Sequence, residues 1–375
     1  MEAIPFHKYY TSGEEIRCVE AVIGSQKIAQ HPLHAQCHEL ISKICGHGHV
    51  QLTSSCTHAL EAAMMTLGLT PNDEVVIPSF AYMSIANAVL RTGAKIVFAD
   101  VDAKSMNLSL SSLQNAVSSS TKAVIFMHYG GLSYDIQPVL DFCENNDIIL
   151  IEDAAHCIGA TFNGRHLGTF GDFGTLSFHH TKNIHCSEGG ALIVRNADHY
   201  KNILQIVEKG TNRQAFLRGE IDRYDWVTVG SSFTMNNLSS AFLFGQLADL
   251  EKITTKRKEI WKEYYDQLKD LEQIDLPLKS SINEGNGHIF FLKTRTFDER
   301  EELITYQMKH GISAYFHYPA LHASEAGKKY ASPRVSCKNA LEESQKLLRL
   351  PIYPKLRKDQ VNYICDRIHQ FYATR

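Results

Sequence analysis

Short apolar runs and longer amphipathic stretches alternate along the chain from residue 50 to residue 200. The runs Val75–Phe80, Lys95–Asp100, Lys122–His128, Ile148–Glu152, Gly174–Phe178 and Ala191–Val194 are short and largely apolar. Such runs read as strands buried on both faces. Thr57–Leu67, Ser84–Thr92 and Pro138–Asn145 carry apolar residues at helical spacing. Strands alternating with helices predict a mostly parallel sheet covered on both sides. Any doubly wound α/β protein fits that rhythm.

The pattern changes after residue 245. Leu247–Leu268 is long, charged and amphipathic, and predicts a connecting helix. Beyond it His288–Thr294 and Ser313–His317 read as strands, and Asp298–Lys309, Asn339–Leu348 and Lys358–Ala373 as helices. The expected division is a large α/β domain over residues 1–245, N-terminal arm included, and a smaller α+β domain over 246–375.

Composition narrows the class. With 44% apolar and 21% charged residues the chain can bury a large core without disulfides or metals. Thirty-eight basic against 41 acidic side chains give a net charge of −3, which argues against a nucleic-acid partner. No apolar run approaches the ~20 residues of a membrane span. MEAIPFHKYYTSGEE lacks the basic start and apolar stretch of a signal peptide, so the expected location is the cytoplasm. Nine cysteines, an odd number with no C-x-x-C pair, read as thiols, most of them buried.

The candidate chemistry begins at IILIEDAAHCIGA. Asp153 follows an apolar run, which places it at the carboxyl end of a central strand, where ligands of open α/β sheets bind. A poorly hydrated acid there wants a cationic partner, unless it caps the next helix. Twenty-nine residues later Lys182 stands in LSFHHTKNIHCSEGGALIV, ahead of a glycine pair that permits close backbone approach. A lone lysine is usually a surface loop residue, but a desolvated one is an amine nucleophile for carbonyls. Together the two residues meet the requirements of pyridoxal phosphate: a lysine for the Schiff base and a carboxylate for the pyridine nitrogen.

That cofactor needs a phosphate cradle. Thr53, Ser54, Ser55 and Thr57 bunch at the start of a helix, as anion ligands or as ordinary caps. Tyr82, just past a strand, could stack on a flat ring or belong to the core. His179, His180, His185 and Cys186 match no established zinc spacing, so no metal is expected.

The segments IEDAAH, SFHHTKN followed by EGG, SSCTHAL and LRLPIYPKL resemble the DegT-type nucleotide-sugar aminotransferases. The resemblance spans essentially the whole chain and implies a fold type I pyridoxal-phosphate transferase, with a seven-stranded, mostly parallel sheet. Lys209–Phe233 and Phe316–His322 resemble more narrowly the subgroup that makes dTDP-4-amino-4,6-dideoxygalactose. By resemblance Lys182 carries the cofactor and shuttles the proton, and Asp153 keeps the pyridine nitrogen protonated. Cys56 (by its backbone N–H), Thr57 and Ser177 hold the phosphate, Tyr82 covers the ring, and His156 faces the ring hydroxyl. Ser232 occupies the place of an asparagine that reaches the partner subunit's phosphate in relatives. The loop after Lys182 is one residue shorter than in that subgroup, with Ser187 where glycine is common. The resemblance further implies a homodimer with shared active sites. Lys209, Arg213 and Arg218 are then candidates for a nucleotide diphosphate, and His317 and Tyr318 for the hexose.

The expected reaction moves an amino group from L-glutamate to carbon 4 of dTDP-4-keto-6-deoxy-D-glucose, for surface polysaccharide synthesis. Alternatives are the same chemistry at carbon 3 or with opposite stereochemistry, or a non-catalytic nucleotide-sugar binder. A dehydratase variant of the fold has histidine in place of the lysine, and Lys182 counts against it.

Overall fold

The computed structural model describes residues 3–25, 28, 31–332 and 334–375. Seven strands build the main sheet: β1 (Val50–Thr53), β2 (Glu74–Pro78), β3 (Lys95–Ala99), β4 (Thr121–Met127), β5 (Ile149–Asp153), β6 (Phe173–Ser177) and β7 (Gly190–Val194). Their order is β1-β7-β6-β5-β4-β2-β3, and a two-residue strand, Ala331–Ser332, extends the β3 edge to make eight. β2 through β6 pair in parallel, while β7 runs antiparallel to both β6 and β1. This matches the architecture expected from the sequence.

Alternation along the strands explains why the sheet is buried on both faces. In β4, Ala123, Ile125 and Met127 join one apolar cluster, and Val124 and Phe126 join the other. Ile151 and Leu150 of β5 divide in the same way. The first cluster continues without a break into the C-terminal unit, through Trp261, Tyr264, Phe290 and Phe291. There β8 (Phe290–Lys293) pairs antiparallel with β9 (Leu347–Leu350), and helix Leu250–Leu268 packs against Lys358–Ala373.

Three elements differ from expectation. β1 was hidden because its four residues, VQLT, run straight into the polar SSC turn. The stretch Leu247–Leu268 divides into two helices, with the break at Ala248–Asp249. Ser313–His317 forms no strand: Ile312 and Tyr315 make only single bridges, to Ile4 and Arg349. The bridge to Ile4 also ties the start of the N-terminal arm to the C-terminal unit, by bonds from Ile4 N–H to the Gly311 carbonyl and from Ser313 N–H to the Ile4 carbonyl (2.8 and 3.0 Å).

The sheet's central acids point opposite ways. Glu152, fully buried, accepts N–H bonds from Gly168 (2.9 Å), Phe170 (2.6 Å) and Gly171 (2.7 Å), and the His128 Nε2–H at 2.7 Å. Burial alone would raise its pKa, but His128 and the backbone donors outweigh it and hold the carboxyl below its ordinary value. A depressed folded pKa gives stability that is present above the unfolded value, ~4.3, and is lost as pH falls through the folded one. Glu152→Gln turns an amide N–H toward these donors, so unfolding free energy at pH 7 should drop by about 2–4 kcal/mol. Urea titrations at pH 7 and at acid pH check this: the gap between variant and parent should close as pH falls, and no gap at pH 7 would refute the role.

Candidate active site

Asp153 ends β5 on the face shared with Ile151 and Met127, and a cavity of about 790 Å³ opens over that face. The residue is 4% exposed, and its carboxylate accepts the Ala155 N–H at 3.0 Å. Burial drives its pKa up, and Ala155, Lys182 and His128 oppose that rise. A buried carboxylate in this state favours a cation against it.

Lys182 lines the same cavity from the loop between β6 and β7. Burial lowers the pKa of its amine, against the opposing pull of Cys56, Asp153 and Cys157. Lowering releases the uncharged form that attacks carbonyls and accepts protons. The loop is held by His180 N–H to the Ser187 carbonyl (2.8 Å) and Lys182 N–H to the His179 carbonyl (2.9 Å). Ser187 stands there at φ +70°, a left-handed backbone that explains why glycine suits the place.

The helix Cys56–Thr66 starts at the cavity wall. Ser55 caps it, its Oγ accepting the His58 N–H at 3.1 Å. First-turn amides have no intrahelical acceptor and favour an anion. Gly190 makes this terminus accessible: a Cβ there would lie 2.5 Å from the Cys56 nitrogen. Thr57 and Ser177 also line the cavity, whereas Thr53 and Ser54 shape the turn by bonding to the Ser55 carbonyl and to His58. Tyr82 is 49% exposed at the rim, its ring 5.8 Å from that of Tyr318.

His156 is buried, and burial keeps its pKa well below the usual value. Gly130 N–H donates to Nδ1 at 3.1 Å, so the neutral ring carries its proton on Nε2, 3.2 Å from the Tyr318 hydroxyl. His317 and Tyr318 stack on each other, centroids 3.6 Å apart, in an irregular segment that lets adjacent residues line one cavity. His317 Nδ1 lies 2.8 Å from the Tyr129 hydroxyl.

Other expected residues are not brought here. Lys209, Arg213 and Arg218 are exposed, and Ser232 lies on the same surface segment; none borders the cavity within one chain. Arg218 is engaged by Glu220 at 2.6 and 3.0 Å. Two arginines were not anticipated. Arg349 of β9 lines the cavity, held by the Phe316 carbonyl (3.2 and 2.9 Å), and so does Arg257, 2% exposed, from helix Leu250–Leu268. Among the described residues no cluster of histidine, cysteine, aspartate and glutamate is arranged to hold a metal, and no helix is long and apolar enough to cross a membrane.

Residues 10–369 match the DegT/DnrJ/EryC1/StrS aminotransferase family. The chain belongs to that family. Its fold is similar to that of the aminotransferase TlmJ from Streptoalloteichus hindustanus (24% identity, TM-score 0.91, 99% of each chain). It is similar too to a DegT DnrJ EryC1 StrS aminotransferase from Brucella abortus (25%, 0.89, 97% of this chain and 99% of that one). A third similar structure is the Escherichia coli GDP-4-keto-6-deoxy-D-mannose-3-dehydratase (21%, 0.90, 98% and 99%). The protein is thus a member of an aminotransferase family, and the similar dehydratase structure holds hydrated pyridoxal phosphate (PLP). The residues present fit the cofactor: an amine of lowered pKa, a buried carboxylate suited to a ring N–H, and a helix start that Gly190 leaves open.

Two outcomes test this site. Borohydride should fix pyridoxal phosphate to Lys182, and a label mapped to another lysine would refute the assignment. Asp153→Asn keeps the shape but removes the charge; at ~1.4 kcal/mol per pKa unit, losing an ion pair worth several units should slow turnover by two or more orders of magnitude. Steady-state kinetics near the parent rate would reduce Asp153 to a turn residue.

Proposed function

We propose that the protein transfers an amino group from L-glutamate to carbon 4 of dTDP-4-keto-6-deoxy-D-glucose. The product is dTDP-4-amino-4,6-dideoxy-D-galactose, and its use is surface polysaccharide synthesis in the cytoplasm. The observation that carries the reaction type is Lys182 and Asp153 facing one cavity. The substrate rests on the resemblance of Lys209–Phe233 and Phe316–His322 to the dTDP-sugar subgroup, together with His317 and Tyr318 lining that cavity.

Pyridoxal phosphate supplies an aldehyde for the amine and a ring that accepts electrons from the carbon losing its proton. The chain does the rest. Asp153 would present its carboxylate to a ring N–H, and the first-turn amides of Cys56 and Thr57, with Ser177, would present donors to a phosphate. Lys182 Nζ, lowered in pKa by burial, would accept and give back the proton that moves in the reaction. His156 Nε2–H donates to the Tyr318 oxygen, which leaves the phenol hydrogen for the ligand. Burial raises the pKa of Tyr318 well above 10, so the phenol stays neutral and remains a donor.

A homodimer accounts for what one chain leaves open. Trp226 and Val229 are 73% and 70% exposed on the segment that follows Lys209, Arg213 and Arg218. A second copy would cover such apolar surface and carry those basic residues to its partner's cavity.

Incubation with pyridoxal phosphate, glutamate and dTDP-4-keto-6-deoxyglucose, followed by NMR of the sugar, tests the proposal. An axial amine at carbon 4 is expected; an equatorial one, or an amine at carbon 3, would overturn the substrate assignment. In stopped flow, Tyr318→Phe should slow the keto-sugar half-reaction about tenfold more than the glutamate half-reaction, the worth of one hydrogen bond. Equal slowing of both would remove Tyr318 from the sugar site.

A further inference from the structure

The helix Leu250–Leu268 reaches the active site through the turn before β8. Arg257 donates from Nε to the Gly287 carbonyl at 3.1 Å and from Nη2 to the His288 carbonyl at 2.9 Å. Trp261 Nε1–H donates to the Ile289 carbonyl at 3.1 Å. Gly287 has φ +64°, and a Cβ there would come within 2.8 Å of the Arg257 backbone, so the turn lies flat on the helix. Asn286 is fully buried. Its Nδ2 donates to the carbonyls of His156 (2.7 Å) and Ile158 (2.9 Å), and its Oδ1 accepts the His288 N–H at 3.1 Å. One side of the turn is therefore fixed to the C-terminal unit and the other to the backbone that carries His156.

The lysine loop is attached to this turn through Asn183, the residue after Lys182. Asn183 Nδ2 lies 3.1 Å from the Asn286 carbonyl, and its Oδ1 lies 2.8 Å from His288 Nδ1. A carbonyl can only accept, so Asn183 must turn its amide nitrogen to Asn286 and its oxygen to His288. His288 must then carry its proton on Nδ1. Asn183 and His288 are 5% and 8% exposed, so water cannot easily replace either partner.

We propose that the His288 Nδ1–H to Asn183 Oδ1 bond is a positioning clamp that sets Lys182 against His156 and Asp153. The inference rests on Lys182 being the reacting amine. A lysine amine ends a flexible four-carbon stem, so its aim depends on how firmly its own backbone is held. Three of the turn's bonds tie it to the helix, through Arg257 and Trp261, while those of Asn286 and His288 to Asn183 reach the residue beside the lysine. His288 makes the only one of these that uses its side chain. His288 acts through Asn183 and is a positioning residue.

The test uses the full-length protein. An asparagine amide can take the place of His Nδ1, and a glutamine amide that of Nε2. His288→Phe and His288→Gln should lower kcat of the glutamate half-reaction about tenfold to a hundredfold with KM nearly unchanged, the scale of an ångström misplacement. His288→Asn should recover most of that loss. Asn183→Ala with His288→Phe should be no slower than the slower single variant. Rescue by glutamine equal to that by asparagine, or losses that multiply, would overturn the clamp. A second measurement is free of turnover: ¹⁵N-histidine spectra should show His288 neutral with its proton on Nδ1, and a proton on Nε2 would overturn the clamp. If no form of the protein takes up pyridoxal phosphate, the functional reading fails, and the histidine spectra still decide the clamp.

Discussion

Removing the Asp153 carboxylate from water is the constraint on which the active site depends. At the end of the central strand β5 the acid is 4% exposed, and burial pushes its pKa up. A carboxylate so placed stays ionised only beside positive charge. Lys182 provides some, and the pyridinium of a bound cofactor would provide more. The parallel order of β4, β5 and β6 brings their carboxyl ends to one edge, with Met127, Asp153 and Ser177 side by side on it. The antiparallel β7 then carries Gly190 back to the start of helix Cys56–Thr66. The buried acid and the open helix start thus follow from one strand order.

The neighbouring acid shows how much placement decides. Glu152 is more deeply buried than Asp153, yet its pKa falls because three backbone N–H groups and His128 converge on it. Pleating sends it to the far face, where it fixes the Gly168–Gly171 loop. One side chain is satisfied by the protein, and the next is left to be satisfied by a ligand. The first contributes stability, and the second spends some of it on binding.

What the sequence disclosed follows the range of each signal. Asp153, Lys182 and the Ser55–Thr57 turn were legible because each stands where a strand meets a turn or helix, within a few residues of its cues. His317 and Tyr318 were harder, since adjacent strand residues face opposite ways; the structure resolves this by leaving 316–319 outside the sheet. Arg257 carried a signal that went unread. It stands four residues after Ile253 and four before Trp261, on the stripe that Ile260, Tyr264 and Leu268 also occupy, so the helical period already buried it. Arg349 interrupts the apolar run LLRL in the same way. Lys209, Arg213, Arg218 and Ser232 lie away from the cavity within one chain, so only the proposed dimer would bring them to it, and no period within one chain encodes such a contact.

These unread arginines complete the account of charge. Among the described residues neither Arg257 nor Arg349 has a carboxylate partner, although burial lowers the pKa of both, that of Arg257 to about 9. Each is held by backbone carbonyls, which satisfy hydrogens without cancelling charge. With Lys182 they place three cationic side chains around a cavity whose acids are Asp153 and Glu188, the latter 3.4 Å from His179. A site built this way is balanced by anionic ligands and repels cationic ones. A phosphorylated cofactor, a nucleotide sugar and a dicarboxylic amino donor all have that sign. The cost of burying the arginines would be recovered on binding such molecules, as the proposed reaction requires, and the same positive field that weakens the empty protein favours anions in it.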